Sequence, residues 1–457
     1  MAVEGKGSIT EDGVFIYPKE EQLTKADLNG FIEYHNGTLL PQFKKARDYY
    51  RGQHPILSNL KTSAIGKPDN RLVVNYPRYI VDTLNGFFIG IAPKITLDET
   101  TDNDLLQEFN NGNSFFDKLY EASKQVSIYG RSYFYAYQNE ASKTQLAVIS
   151  PERGFLIYDD TVAKEPYAFC MYAYDEENNL SGSVYLSDGS YDLSMENTGA
   201  NPFKTVPAVE FYENEERQGT FENVLTLVDT VNQALSQKAN DVDYFADAYL
   251  KILGATLDED TLAQIKDNRI INLEGDGAAK DIIVDFLQKP NGDATQENLI
   301  NRLSDLIFQI SSVANITDQT FGSADSGKAL EYHLLAMRNL AANKERKFTQ
   351  ALRSFYKIIF SVGTVLNLSK ADEWKKLKFQ FIRNLPSNLA DEATTAKGLE
   401  GVVSKETQLK TLSIVDDPQA EIKRMAAETK KARDEATQSE AQYDFQKSGE
   451  LINDEKE

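Results

Sequence analysis

The chain has 457 residues, 41% hydrophobic and 26% charged, a balance that suits a globular protein of roughly two to four lobes. Its 49 Lys+Arg stand against 70 Asp+Glu, a formal charge of −21. That sign excludes tight nucleic-acid binding through a whole-surface basic patch, because counterion release needs cations opposite the phosphates.

The one cysteine, Cys170, rules out an internal disulfide framework and points to a cytosolic place of synthesis. The first residues, MAVEGKGSIT, hold no apolar leader core. The longest apolar windows, GFFIGIAP and FYKIIFSVGTVL, fall short of a membrane span and are expected in a core.

Leu23 to Tyr50 reads as helical, interrupted at Pro41, with Leu28, Ile32, Leu39 and Phe43 as buried positions. NRLVVNYPRYIVDTLNGFFIG, from Asn70 to Gly90, joins a short apolar run to a helix begun by Pro77, with Ile80, Leu84 and Phe87 or Phe88 on one face. A further helix is expected from Ser114 to Ile128. At Tyr129 the period changes to two: Tyr133, Tyr135 and Tyr137 alternate with Phe134 and Ala136. Strand-like runs LAVIS, FLIY, AFCMYAY, SVYL and AVEFY follow between turn signals, which predicts an antiparallel, aromatic-rich lobe.

From Phe221 to Ala248 there is no Pro or Gly. Val224, Val228, Val231, Leu235, Val242, Phe245 and Tyr249 form an apolar stripe at helical spacing. Opposite them Asp229, Gln233, Ser236, Asn240, Asp243 and Asp247 form a wholly polar stripe without a base. A mixed insert from Leu250 to Asn291 carries LKILG, RIINL, DIIVDF, a short helix near Leu262 to Ile265 and the acidic turn Asp258–Glu259–Asp260. Helical spacing resumes from Thr295 with Leu299, Leu303, Leu306 or Ile307, Ile310 and Val313. A polar loop, NITDQTFGSADS, leads into a helix expected from Gly327 towards Leu366, roughly 60 Å long at 1.5 Å per residue. LKFQFI then alternates like a strand, and the remainder from Ala396 is Ala/Glu/Lys-rich, helical in composition and polar enough to fray at its end.

GSADSGKA matches the Gly-x4-Gly-Lys spacing of a phosphate loop, yet Ala329 replaces the hydroxyl that would bind magnesium and Asp325 sits in the anion cradle. A helix start capped by Ser326 accounts for it better. His35, His54, His333 and Cys170 lie far apart, without metal-ligand spacing, and no nucleophile elbow is present. The sequence therefore predicts no enzyme, no metal and no cofactor. Two long helices bracketing a small α/β module read as a stalk with a tip.

That order of parts resembles the portal proteins of tailed bacteriophages, in the branch of long-tailed phages of Gram-positive hosts. The residues that carry it are YYRGQHPIL, NRLVVNYPRYIVDTLNGFFIG, ISSVANITDQTFGSADSGKALEYHLLAMRNLAANKERKF, FIRNLP and GVVSKETQLKTLSIVDDPQAEIKRM. The resemblance implies an α+β fold: an antiparallel β-rich wing over 1–220, stem helices over 221–249 and 295–314, and a small α/β clip over 250–294. A tunnel loop over 315–326, a long tunnel/wing helix over 327–367, a wing return strand over 368–395 and a helical crown over 396–457 complete it. It implies a dodecameric ring at one capsid vertex of the virion, made in the host bacterial cytoplasm, through which double-stranded DNA is packaged and ejected without sequence reading. Its implied partners are further copies of itself, the terminase large subunit, head–tail connector or adaptor proteins, scaffold and the major capsid protein, with no membrane.

Carried onto this chain, channel-lining candidates are Asp229, Gln233, Ser236, Asn240, Asp243 and Asp247. The tunnel loop would use Asn315, Thr317, Asp318, Thr320, Phe321 and Asp325, and the motor contact Asp258, Glu259 and Asp260. Two other readings stand beside it: an ATPase motor subunit resting on the degraded phosphate loop, and an interaction scaffold with helical arms and no channel. Nucleotide binding would mark the first, and low-order or open-ended assembly the second.

Overall fold

Thr24 starts the first helix. Its side chain accepts the Asp27 N–H while the Asp27 carboxylate takes the Thr24 N–H, a reciprocal cap. The computed structural model describes residues 5–58, 68–246, 250–253, 283–286, 293–316, 334–384, 389–412, 414–415 and 418–433. In it α1 (Lys25–Tyr34) runs through a π turn at His35–Leu39 into α2 (Leu40–Tyr50). Pro41 has no N–H to donate, and the wider turn before it lets the helix continue where the sequence suggested an interruption. Leu28, Ile32, Leu39 and Phe43 are all buried, as their spacing requires.

The helix α3 (Tyr76–Ile89) begins at Asn75, whose side chain accepts the Arg78 N–H. A short strand, β3 (Lys94–Thr96), and an unanticipated helix, α4 (Thr100–Gly112), lead to α5 (Phe115–Tyr129). Gly130 ends α5 at φ +81°, a left-handed position.

The β lobe holds every strand the alternation predicted: β4 (Arg131–Gln138), β5 (Thr144–Ile149), β6 (Gly154–Asp159), β7 (Pro166–Tyr174), β8 (Leu180–Tyr185) and β11 (Ala208–Tyr212). It adds β1 (Ser8–Ile9), β2 (Phe15–Tyr17), β9 (Gly189–Asp192) and β10 (Asn197–Ala200), too short for periodicity to reveal. The strands form a seven-stranded sheet, β1-β2-β6-β7-β8-β9-β10, and a three-stranded sheet, β11-β4-β5. The lobe is not wholly antiparallel. β2 pairs parallel to β6, Phe15 opposite Ile157, because α1 and α2 carry the chain away before β6 forms. Phe15, Phe31, Phe43, Phe155 and Tyr172 build the core between the first helices and the large sheet, while Tyr133, Leu156, Phe169 and Ala208 build a second cluster.

Next come α6 (Leu225–Ala246) and the antiparallel pair β12 (Leu250–Leu253) and β13 (Ile283–Phe286). α7 (Asp293–Ser311) follows. RIINL and the expected helix near Leu262 lie outside the described residues. Val224, just before α6, and Val228 and Val231 on it are buried as expected, whereas Val242 is 65% exposed. On α7, Leu303, Ile307 and the following Val313 are buried, while Leu299 and Ile310 are each 49% exposed.

The long helix α8 (Leu335–Phe360) is shorter than the expected 327–367. It stops before Gly363, whose φ of +75° turns the chain out of the helix, and residues 317–333 lie outside the described set. β14 (Lys378–Gln380) returns to pair antiparallel with β3, Phe379 opposite Ile95. The C-terminal unit, 385–457, contains α9 (Leu389–Gly398), α10 (Lys405–Leu409) and a helix over 418–433. Gln408 ties α10 to α9 by donating to the Ala396 carbonyl at 2.6 Å.

Candidate stem helix, its strap and the buried lysine

α6 is helical because 25 residues before Leu250 contain neither Pro nor Gly and its valines recur on one side. Asn232 is fully buried beside them and Ser236 is 2% exposed. These polar groups are satisfied by an extended strap, residues 70–74, that runs antiparallel along the helix. The Val74 N–H donates to Asn232 Oδ1 at 2.8 Å, the Leu72 N–H to Ser236 Oγ at 2.9 Å and the Asn70 N–H to Asn240 Oδ1 at 2.6 Å. Asn70 Nδ2 also donates to the Asp243 carboxylate.

The match is geometric. Two residues of extended chain advance roughly 6.6 Å and four residues of helix roughly 6.0 Å, so alternate strap amides meet every fourth helix side chain.

The chain before the strap is fixed to the same helix. Tyr49 Oη donates to Asp229 Oδ2 at 2.7 Å, and burial beside that carboxylate pushes the phenol up. His54 Nε2 donates to the Tyr49 carbonyl at 3.1 Å, which leaves Nδ1 to accept from Asn232 Nδ2 at 2.8 Å. Burial holds the imidazole below its ordinary value and therefore neutral. Asn232 thus points its oxygen at the strap and its nitrogen at His54.

This corrects the picture of an open polar stripe. Asp229, Ser236, Asn240 and Asp243 all make contacts within the subunit, and Ser236 is not a surface group at all. Of the channel-lining candidates, Gln233 and Asp243 are exposed, and Asp247 lies outside the described residues. Asn315 is half-buried; Thr317, Asp318, Thr320, Phe321 and Asp325 lie outside, as do Asp258, Glu259 and Asp260. The degraded phosphate loop and His333 lie outside as well. Asn232 was missed in the sequence, although Asn232, Ser236 and Asn240 repeat at steps of four.

α6 and α7 pack side by side, joined at the surface by Lys238 and Glu297 at 2.5 Å. α3 grips α7 through Tyr76 and Tyr79, whose rings stand edge-on to Phe308 at 5.6 and 5.5 Å. Tyr76 Oη meets Ser304 Oγ at 2.7 Å, and Tyr79 Oη accepts the Ile316 N–H at 2.8 Å.

α8 is anchored by a charge. Lys344 is completely buried; its ammonium donates to the Ser123 carbonyl at 3.0 Å and Ser127 Oγ at 2.7 Å, and faces Glu213 Oε2 at 3.3 Å. Burial lowers its proton affinity and Glu213 opposes that shift. A cation so enclosed offers DNA no contact on this subunit, whereas Arg338, also on α8, is exposed. His35 is likewise buried and neutral: Nε2 donates to the Pro151 carbonyl at 2.8 Å and Nδ1 accepts from Tyr172 Oη at 2.6 Å. Among the described residues no group of three His, Cys, Asp or Glu could hold a metal ion, and burial pushes the Cys170 thiol up.

The family model for phage portal proteins of the SPP1 Gp6-like type matches residues 29–435. The chain belongs to that portal family. It is 25% identical over 422 residues to the portal protein of Bacillus phage SPP1, covering 84% of this chain and 80% of that one. To the portal protein of Clostridium phage phiCD119 it is 21% identical over 426 residues, covering 85% and 92%. Among solved structures it overlaps a chain of the neck of an empty gene transfer agent particle at TM-score 0.43 and 12% identity, covering 73% of this chain and 89% of that one. A chain of the native gene transfer agent virion overlaps at TM-score 0.44 and 13% identity, covering 81% and 92%.

Portal-family proteins are structural rather than enzymatic, and their place is the capsid of the virion. Among the described residues no helix is long and apolar enough to cross a membrane.

Proposed function

We propose that copies of this portal-family chain close into a dodecameric ring that conducts double-stranded DNA into and out of the capsid. The observation that carries the reading is the family match across 29–435, a range that includes α6, the β12–β13 pair and α7, which this reading takes as stem, clip and stem. The clip, with Asp258, Glu259 and Asp260, would meet the terminase large subunit and later the connector proteins; scaffold and major capsid protein would hold the outer wing. The chain acts as a conduit and docking platform and catalyses nothing.

Charge supports passive conduction. Twelve copies at −21 sum to roughly −250, a field that keeps phosphates from adhering to the walls. Gln233 and Asp243 are the lumen candidates that α6 leaves exposed, with Asp247 beyond them. Strap contacts fix how far α6 can turn about its axis, and so which groups can reach the channel. Deleting Thr317–Ser323 tests the tunnel loop. Rings of normal mass that package or retain less DNA are expected. Loss of the ring itself would make that segment structural, and normal packaging would remove its role in the channel.

A further inference from the structure

A groove of about 790 Å³ lies between α2, α5 and the β5–β8 region, with no residue of α6 or α7 in its lining. In a chain of −21 its lining is basic: Arg47, Arg51, Lys124 and Arg153 against Glu121 and Glu152. Two of the cations are already committed. Arg47 pairs with Glu152 at 2.6 Å and Lys124 with Glu121 at 2.5 Å. Arg51 and Arg153 are exposed, and among the described residues no carboxylate lies within ion-pair or hydrogen-bond reach of either guanidinium. Arg51 and Arg153 are therefore the two cations of the lining left without a carboxylate partner.

Its wall also holds an open sheet edge. β5 is the last strand of the three-stranded sheet. The register pairs Tyr133, Tyr135 and Tyr137 of β4 with Ile149, Ala147 and Gln145, and Ala136 N–H donates to the Pro207 carbonyl on the β11 side. Leu146 and Val148 must then turn their backbone groups away from β4. At Leu146 that edge is closed by side chains: its N–H donates to Asn113 Oδ1 at 3.0 Å and its carbonyl accepts from Lys118 Nζ at 2.6 Å. One step on, Val148 lines the groove, and among the described residues nothing meets its N–H or its carbonyl. Proteins ordinarily block such edges, and here the block stops where the basic groove begins.

We infer that this groove docks an extended acidic peptide segment of a partner protein, which adds to the β5 edge at Val148 and sets carboxylates against Arg51 and Arg153. A peptide bond supplies both the acceptor for the Val148 N–H and the donor for its carbonyl. The sugar–phosphate backbone of DNA has no donor to give that carbonyl. It would also leave the apolar floor of Ile128, Ile149 and Met171 uncovered, whereas alternate apolar side chains of an extended peptide would cover it. The inference holds whether or not the copies close into a ring.

The test is fluorescence anisotropy of the full chain with a labelled peptide that alternates Asp and Val. Controls are its Lys/Val counterpart and an Asp/Val peptide N-methylated at alternate amides. Saturable binding of the acidic peptide is expected, about tenfold weaker with R51E/R153E, intermediate with R51Q/R153Q and weaker for the N-methylated form. Both sites are exposed, and circular dichroism checks that the variants keep the fold. No saturable binding, equal binding to R51E/R153E, or full affinity of the N-methylated peptide would overturn the proposal. So would displacement by a duplex oligonucleotide, which would assign the groove to DNA, or loss of self-association in R51E/R153E without peptide binding, which would assign it to a second copy.

Discussion

Replacing Asn232 by Ala removes two bonds at the most buried point of the stem helix, one to the strap and one to His54. The Val74 N–H loses an acceptor at 2.8 Å and His54 Nδ1 loses a donor at 2.8 Å. An unsatisfied buried polar group costs about 1–3 kcal/mol, and half-exposed Val74 belongs at the low end, so about 2–4 kcal/mol in all is expected. Hydrogen exchange read at single amides is the suitable assay, because it reports local opening without requiring two-state unfolding. In the native chain the amides of Asn70, Leu72 and Val74 should exchange slowly and those of Arg71 and Val73 fast. In Asn232→Ala the Val74 amide should speed up by roughly thirtyfold or more, since about 1.4 kcal/mol is tenfold. Asn232→Asp keeps the acceptor for Val74 but faces His54 Nδ1 with a carboxylate, so it should retain the protection while raising the His54 proton affinity. Equal exchange at all five strap amides, or no change in Asn232→Ala, would refute the ladder.

Three further outcomes follow from the buried groups. Burial lowers the His35 imidazole from 6.5 to about 4. The neutral ring therefore contributes full stability above pH 6.5 and loses it as pH falls towards 4, a loss of about 3 kcal/mol; thermal unfolding against pH should show this limb, and His35→Gln should flatten it. Gly130→Ala places a Cβ 1.7 Å from the Arg217 carbonyl oxygen at φ +81° and should cost at least about 2 kcal/mol, seen as a lower Tm. Lys344→Met leaves the Glu213 carboxylate buried without its cation and should cost about 3–5 kcal/mol. The double variant Lys344→Met/Glu213→Gln should regain much of that Tm loss, and no regain would mean that Lys344 acts through packing alone.

What the sequence made legible is what periodicity records. The change at Tyr129 from helical spacing to alternation marked the β lobe, and the valines of α6 marked its core face. Strands of two or three residues, such as β1 and β2, carry too few alternations to stand out. The polar residues of α6 were misread for a different reason. On an isolated helix Asp229, Ser236 and Asn240 resemble a solvent face, and only Tyr49 and the strap, more than 150 residues earlier in the chain, engage them within the subunit. Lys344 is of the same kind: a cation among surface-like neighbours whose partner Glu213 sits on another element. Long-range polar pairing leaves no period in the sequence. The portal resemblance reached the family because it depends on several ordered segments rather than on any one contact.

The measurement that bears most directly on the account is electron microscopy of the purified chain, with mass by light scattering on the same sample. A closed ring with a central hole is expected, at about 0.6 MDa for twelve chains of 51.3 kDa. An open filament or a discrete dimer would contradict the conduit and leave only an interaction scaffold.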